Sequence, residues 1–239
     1  FVMLRGKLIF EFFNNFTNYY TPHIVFSISK SITSLVFGII VKEIDLDLNT
    51  SISKIIPETK GSAYETASIR NVLDMNVASS FEEDYTGQAE IFKKYRSCTG
   101  WDIEDPSIND APKGLYEFLS NLPSSVASHG IKYHYSSPNS DLLGWLIERL
   151  TNDKYYNVLS KLLFIPSELQ HASNITLDKW GASRSAGGIS ISPYDLLSLS
   201  ELVRCLGNYK QGNIIPESWI NDFTNLRNNS CYLSQDNLE

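Results

Sequence analysis

The sequence predicts an α+β fold, with strands that open the chain and a mostly helical body after them. Three observations carry this. Val2-Met3-Leu4 and Leu8 to Phe13 flank Arg5-Gly6-Lys7, which reads as a β-hairpin. From Ile28 onward apolar residues recur with helical spacing, not strand alternation. No internal repeat or low-complexity tract divides the 239 residues, so one domain is expected. Within it, 1–26 is the hairpin and lead-in loop, 27–223 the mostly helical part, and 224–239 an unassigned tail.

Asn14 to His23 reads as a polar, aromatic loop. The next helix places Ile28, Ile32, Leu35, Val36, Ile39 and Ile40 on one face. Asp45 to Lys60 is loop and short helix, and Ser68 to Met75 a short helix with Ile69, Val72 and Leu73 inward. Ser79 to Trp101 is acidic and aromatic with weak periodicity, and reads as a loop that could cover a pocket or as irregular surface. Leu115 to Leu122 is a short helix ended by Pro123. Tyr133 to Asn139 is turn-rich, and Ser140 is read as the cap of a strong helix through Leu142, Trp145, Leu146 and Leu150. Tyr155 to Phe164 is helical up to Pro166. Gly181 to Ile191, rich in small residues, suggests a tight turn. Ser192 as cap, Pro193 and Asp195 open a helix through Leu196, Leu199, Val203 and Leu206, stopping at Gly207-Asn208. Pro216 to Phe223 is a last short helix.

A net charge of −7 gives no footprint for nucleic acid or an anionic membrane surface. No apolar run approaches the roughly 20 residues of a membrane span. Cys98, Cys205 and Cys231 are scattered, which fits neither a disulfide framework nor a metal site and favours a reducing compartment. The four histidines lack metal-ligand spacing, and no G-x-S-x-G is present, which argues against a nucleophile elbow. Both ends read as cut.

Chemistry concentrates at Ser27-Ile28-Ser29-Lys30, an S-x-x-K at the start of the longest apolar helix. One turn puts the Ser27 hydroxyl and the Lys30 amine on the same side. Serine becomes a nucleophile once something takes its proton, which a lysine, or a partner it activates, can do. A helix start also offers free N–H groups to a developing negative charge. Ser51-Ile52-Ser53-Lys54 repeats the motif, but it follows a polar turn and meets Pro57, so it reads as surface. A second proton carrier is needed for the leaving group, and Tyr135, just before a helix, is the candidate.

These motifs resemble the serine β-lactamase and penicillin-recognising superfamily, in its class C-like branch of esterases and amidases. The segment Tyr135 to Thr151 is similar to that branch's tyrosine motif and its helix. Gly187-Gly188-Ile189-Ser190, followed by Asp195-Leu196, is similar to its glycine segment. Val72 to Met75, Glu83 to Tyr85 and Gly100-Trp101 extend the likeness to amidases of aminohexanoate oligomers, from about Val2 to Asp222. The resemblance implies a β-lactamase/transpeptidase-like fold: an antiparallel sheet flanked by helices with a mostly helical subdomain, the sheet incomplete in this chain. It implies hydrolysis of ester or amide bonds in small molecules through an acyl-enzyme, without metal or cofactor. Ser27 would be the nucleophile, Lys30 the proton acceptor and Tyr135 the general acid/base. Tyr85 would contact substrate from a mobile loop, with Ser137, Asn139, Gly187 and Gly188 as further substrate-binding positions. Ser137 stands where that branch often has Asn. Asn139 could take that role, or 137–139 could serve as an S-x-N. The family's third motif is absent, so half of the oxyanion hole is expected outside these residues, and this stretch alone is expected to be marginally folded and weakly active. A β-lactamase or DD-peptidase would use the same chemistry, whereas a non-catalytic relative would bind without acylating.

Overall fold

The structure, a computed structural model, describes residues 1–14, 17–101, 110–210 and 212–225. Strands β1 (Val2–Leu4) and β2 (Lys7–Phe10) form the expected hairpin. Its two turn residues, Arg5 and Gly6, both have positive φ, the geometry that matches strand twist in a two-residue loop. The strand β3 (His23–Ile24) then leads into the helix α1 (Ile28–Glu43).

Helix α1 supplies a large part of the core. Val36 and Phe37 are fully buried, and Ile32, Leu35, Ile39 and Ile40 nearly so, each worth roughly 1.5–3 kcal/mol of burial. The chain continues through α2 (Ile52–Ile55), α3 (Ile69–Leu73), α4 (Glu90–Cys98) and α5 (Leu115–Ser120) to α6 (Ser137–Thr151) and α7 (Tyr155–Leu159), with α2, α3 and α5 packed on α6. Helices α6 and α7 pack directly on α1. A π-helical turn over Ser160–Phe164 continues α7. Strands β4 (Asn174–Ile175) and β5 (Ile189–Ile191) follow, then α8 (Pro193–Arg204), β6 (Asn208–Tyr209), β7 (Gly212–Asn213) and α9 (Glu217–Thr224).

The sheet that matters for the site is antiparallel, in the order β3-β5-β4. His23 pairs with Ile191 and Ile24 with Ser190, and the Val25 N–H continues the ladder onto the Ile189 carbonyl. This register sets the start of α1 beside residues 186–188.

Four expectations need correcting. Strands are not confined to the start of the chain: the glycine-rich stretch ends in β5, whose Ile189 and Ile191 are buried. Three residues are too few to show alternation. Ser79 to Trp101 is not all loop, because Phe92, Tyr95 and Cys98 recur every third residue and turn one face of α4 into the core. Helix α6 starts at Ser137, not after Ser140, because the fixed φ of Pro138 suits a first helical turn. Helix α8 ends at Arg204, short of Leu206, whose φ is positive. Its start is as expected, with the Ser192 hydroxyl accepting the Asp195 N–H. The tail from 226, with Cys231, lies outside the described residues. Among the described residues no helix is long and apolar enough to cross a membrane.

Candidate active site

Ser27 sits at the junction of β3 and α1, as the N-cap of the helix. The turn is tight enough to put Phe26, the preceding residue, in the left-handed region at φ 43°, an uncommon conformation for a bulky side chain. The Ser27 Oγ accepts hydrogen bonds from Tyr135 Oη at 2.8 Å and Lys30 Nζ at 3.2 Å. Lys30 Nζ also donates to the Ala186 carbonyl at 2.8 Å and lies 5.1 Å from the centre of the Tyr135 ring. The three residues come from a strand–helix junction, the first turn of α1, and the loop before α6. The Ser27 backbone N–H has no acceptor among the described residues. A neutral amine at Nζ, or a phenolate at Tyr135, would reverse one of these bonds and take the serine proton.

One side of this group opens into a cleft of about 320 Å³, walled by Phe26, Tyr85, Phe92, Trp101, Ser137 and Gly187. Phe26 and Trp101 meet edge to face at 5.8 Å. The exposed Tyr85 donates to Glu83 Oε1 at 2.7 Å. Partial desolvation, then the Glu83 carboxylate, push this phenol up and keep it protonated. Glu83 also accepts the Ser137 hydroxyl at 2.7 Å and the Ser137 N–H at 2.8 Å, an anion placed at the start of α6. On the other side, an apolar cleft of about 580 Å³ reaches Ser27, Lys30 and Tyr135 past Leu35, Val72, Met75 and Leu143.

The remaining sequence candidates divide. Ser137 and Gly187 line the first cleft, although the Ser137 hydroxyl is held by Glu83. Asn139 does not line it: this buried side chain accepts from Tyr64 Oη at 3.0 Å and donates to Met75 Sδ at 3.6 Å. Its position inside the first turn of α6 turns it into the core. Gly188 is not among the cleft walls, and its lack of a side chain permits close packing on Thr176 and Arg184. The second S-x-x-K has no comparable set: the Ser51 hydroxyl meets the Ser53 hydroxyl at 3.5 Å, and Lys54 is exposed.

Residues 19–219 match the family described as Beta-lactamase. The chain belongs to the beta-lactamase family. It is 28% identical over 221 residues to the 6-aminohexanoate-dimer hydrolase of Paenarthrobacter ureafaciens, covering 92% of this chain and 55% of that protein. It thus spans little more than half the length of that relative. A solved structure from Bacillus anthracis, provisionally described as a 6-aminohexanoate-dimer hydrolase, superposes with a TM-score of 0.85 at 19% identity, covering 93% of this chain and 58% of that one. EstCE1, a hydrolase with promiscuous acyltransferase activity, gives 0.66 at 13% identity, over 85% and 63% of the two chains. These structural likenesses share the β-lactamase/transpeptidase-like fold.

Beneath Ser27 and Lys30 in this beta-lactamase-family chain lies a network that sequence reasoning missed. Asp141, fully buried on α6, accepts from Tyr95 Oη at 2.5 Å, Arg184 Nη1 at 3.1 Å and the Ala186 N–H at 2.7 Å. Burial pushes its carboxyl above the ordinary carboxylate value, a rise that Arg184 and these hydrogen bonds offset only in part. The signal was an acid beside Leu142 and Leu143 on a helix with no room for a solvated face, and an arginine within a run of small residues.

Proposed function

We propose that the protein is a serine hydrolase that cleaves ester or amide bonds of small molecules through an acyl-enzyme. The observation that carries this is the Ser27 hydroxyl held between Tyr135 Oη at 2.8 Å and Lys30 Nζ at 3.2 Å at the start of a helix. Lys30, as the free amine, accepts the serine proton, and Ser27 Oγ attacks the carbonyl carbon. The Ser27 N–H supplies one donor to the oxyanion. As the tetrahedral intermediate collapses, Tyr135 gives a proton to the leaving amine or alcohol and regains one from Lys30. Water then attacks the Ser27 ester with the same groups acting in reverse, which releases the acid and restores the serine.

Phe26, Tyr85 and Trp101 give the cleft aromatic walls, suited to the flat, apolar parts of an amide or ester chain. Amides resembling 6-aminohexanoate oligomers are the first substrates to try, since the named hydrolase shares 28% of aligned residues. Ser137 and Gly187 are the proposed polar and backbone contacts of the bound carbonyl compound.

Pre-steady-state hydrolysis of a p-nitrophenyl ester by the whole protein tests the reading. The expected result is a burst of one equivalent of nitrophenol, lost in Ser27→Ala and retained in Ser51→Ala. A linear trace without a burst, together with unchanged turnover in Ser27→Ala, would remove Ser27 from the chemistry.

A further inference from the structure

Asp141 touches none of the reacting atoms, yet its surroundings are built with care. Oδ1 accepts the Ala186 N–H at 2.7 Å, and Oδ2 accepts Tyr95 Oη at 2.5 Å and Arg184 Nη1 at 3.1 Å. The amide, the phenol and the guanidinium all act as donors to this buried carboxyl. A buried ion pair adds little net stability over well-packed apolar groups, so its presence asks for another reason.

The reason lies one bond further along. Through this one side chain, residues 184 and 186 are fixed on α6, and between them the Ser185 hydroxyl donates to the Ser140 carbonyl at 2.9 Å. The Ala186 carbonyl then receives Lys30 Nζ at 2.8 Å. A lysine amine sits at the end of a flexible stem, and something must hold it in place. Here the holders are Ser27 Oγ and that carbonyl.

We infer that Asp141 is a positioning residue: it fixes the Ala186 carbonyl, which holds Lys30 Nζ within reach of the Ser27 hydroxyl. The inference rests on the proposed acyl transfer at Ser27. Independent ties keep the segment attached to α1 without Asp141. The Ile189 N–H donates to Ser29 Oγ at 3.2 Å, and the Thr33 hydroxyl is shared between the Ser29 and Ser185 carbonyls, at 2.8 and 3.0 Å. Loss of the carboxylate therefore loosens the lysine seat while leaving the strand in place.

A double-mutant cycle in the whole protein separates positioning from bulk structure. The variants are Asp141→Asn, Lys30→Ala and the pair, and the readouts are kcat and KM for an amide and the rate of fluorophosphonate labelling at Ser27. Asp141→Asn should lower kcat and labelling by about ten- to a hundredfold with KM little changed, the size expected for a displaced catalytic group. In the Lys30→Ala background it should add less than about twofold, because the group it positions is gone. An equal loss in both backgrounds, or none in either, overturns the inference. If Asp141→Asn does not fold, Tyr95→Phe removes one donor from the same carboxylate and enters the same cycle, with a smaller loss that again vanishes beside Lys30→Ala. A fully active Lys30→Ala that still labels at Ser27 overturns the inference, since no lysine role is left to position. Absence of labelling at Ser27 in the unmodified protein instead overturns the proposed function itself.

Discussion

Two residues carry separable tests. Tyr135 is placed to protonate a leaving group, and an activated phenolate leaves without that help. Tyr135→Phe should therefore slow amide hydrolysis by about 10²- to 10⁴-fold and p-nitrophenyl ester hydrolysis far less. Equal losses on the two substrates would assign the tyrosine to binding. Asp84 orders the loop that presents Tyr85. Its Oδ1 accepts the Thr86 N–H and hydroxyl at 2.8 and 2.5 Å, and its Oδ2 accepts the N–H groups of Gln88 and Ala89 at 2.6 and 2.7 Å. These bonds, the Thr86 hydroxyl foremost, hold its carboxyl at about 2, below the ordinary 3.8. A depressed folded value means that the contribution is complete above 3.8 and is lost as pH falls through about 2. The amide resonances of Gln88 and Ala89 should titrate with a midpoint near 2, and a midpoint near 3.8 would show that the loop is not held this way.

At the scale of elements, two glycines let helices lie close to what they pack on. A Cβ on Gly144 of α6 would overlap Ser185, so Gly144→Ala pushes the 184–186 segment away from α6. It should cost about 1–3 kcal/mol in urea unfolding and also slow acylation of Ser27. Gly38 of α1 lies under the Trp219 ring, whose Nε1 donates to the Ser34 carbonyl at 2.9 Å. Gly38→Ala should cost a similar 1–3 kcal/mol while leaving the labelling rate of the folded fraction unchanged. Loss of stability without loss of labelling in Gly144→Ala would disconnect that segment from the site. The same elements show what a sequence can carry. The face of α1 and the Ser192 cap of α8 were legible because each depends on neighbours within a turn or two. The start of α6 and the strand β5 were not, because Pro138 reads alike as turn or first helical residue, and three residues of strand are defined by their partners in β3 and β4.

For the molecule as a whole, Ser27 and Lys30 were legible because one helical turn joins them, and Tyr135 only through the likeness of its segment to a known family. Asp141 and Arg184 were not, since 43 residues separate them and their pairing exists only once α6 packs against the segment before β5. The β-lactamase/transpeptidase-like architecture brings a strand–helix junction, a helix N-terminus and a glycine-rich segment to one place, and everything proposed about activity depends on Ser27 being the atom that forms the bond. The most direct measurement is mass spectrometry of the whole protein after treatment with a fluorophosphonate probe, with the adduct mapped by peptide. One adduct on Ser27, absent from Ser27→Ala and present in Ser51→Ala, is the predicted result. An adduct on Ser51, or none on a protein shown to be folded, would contradict the account.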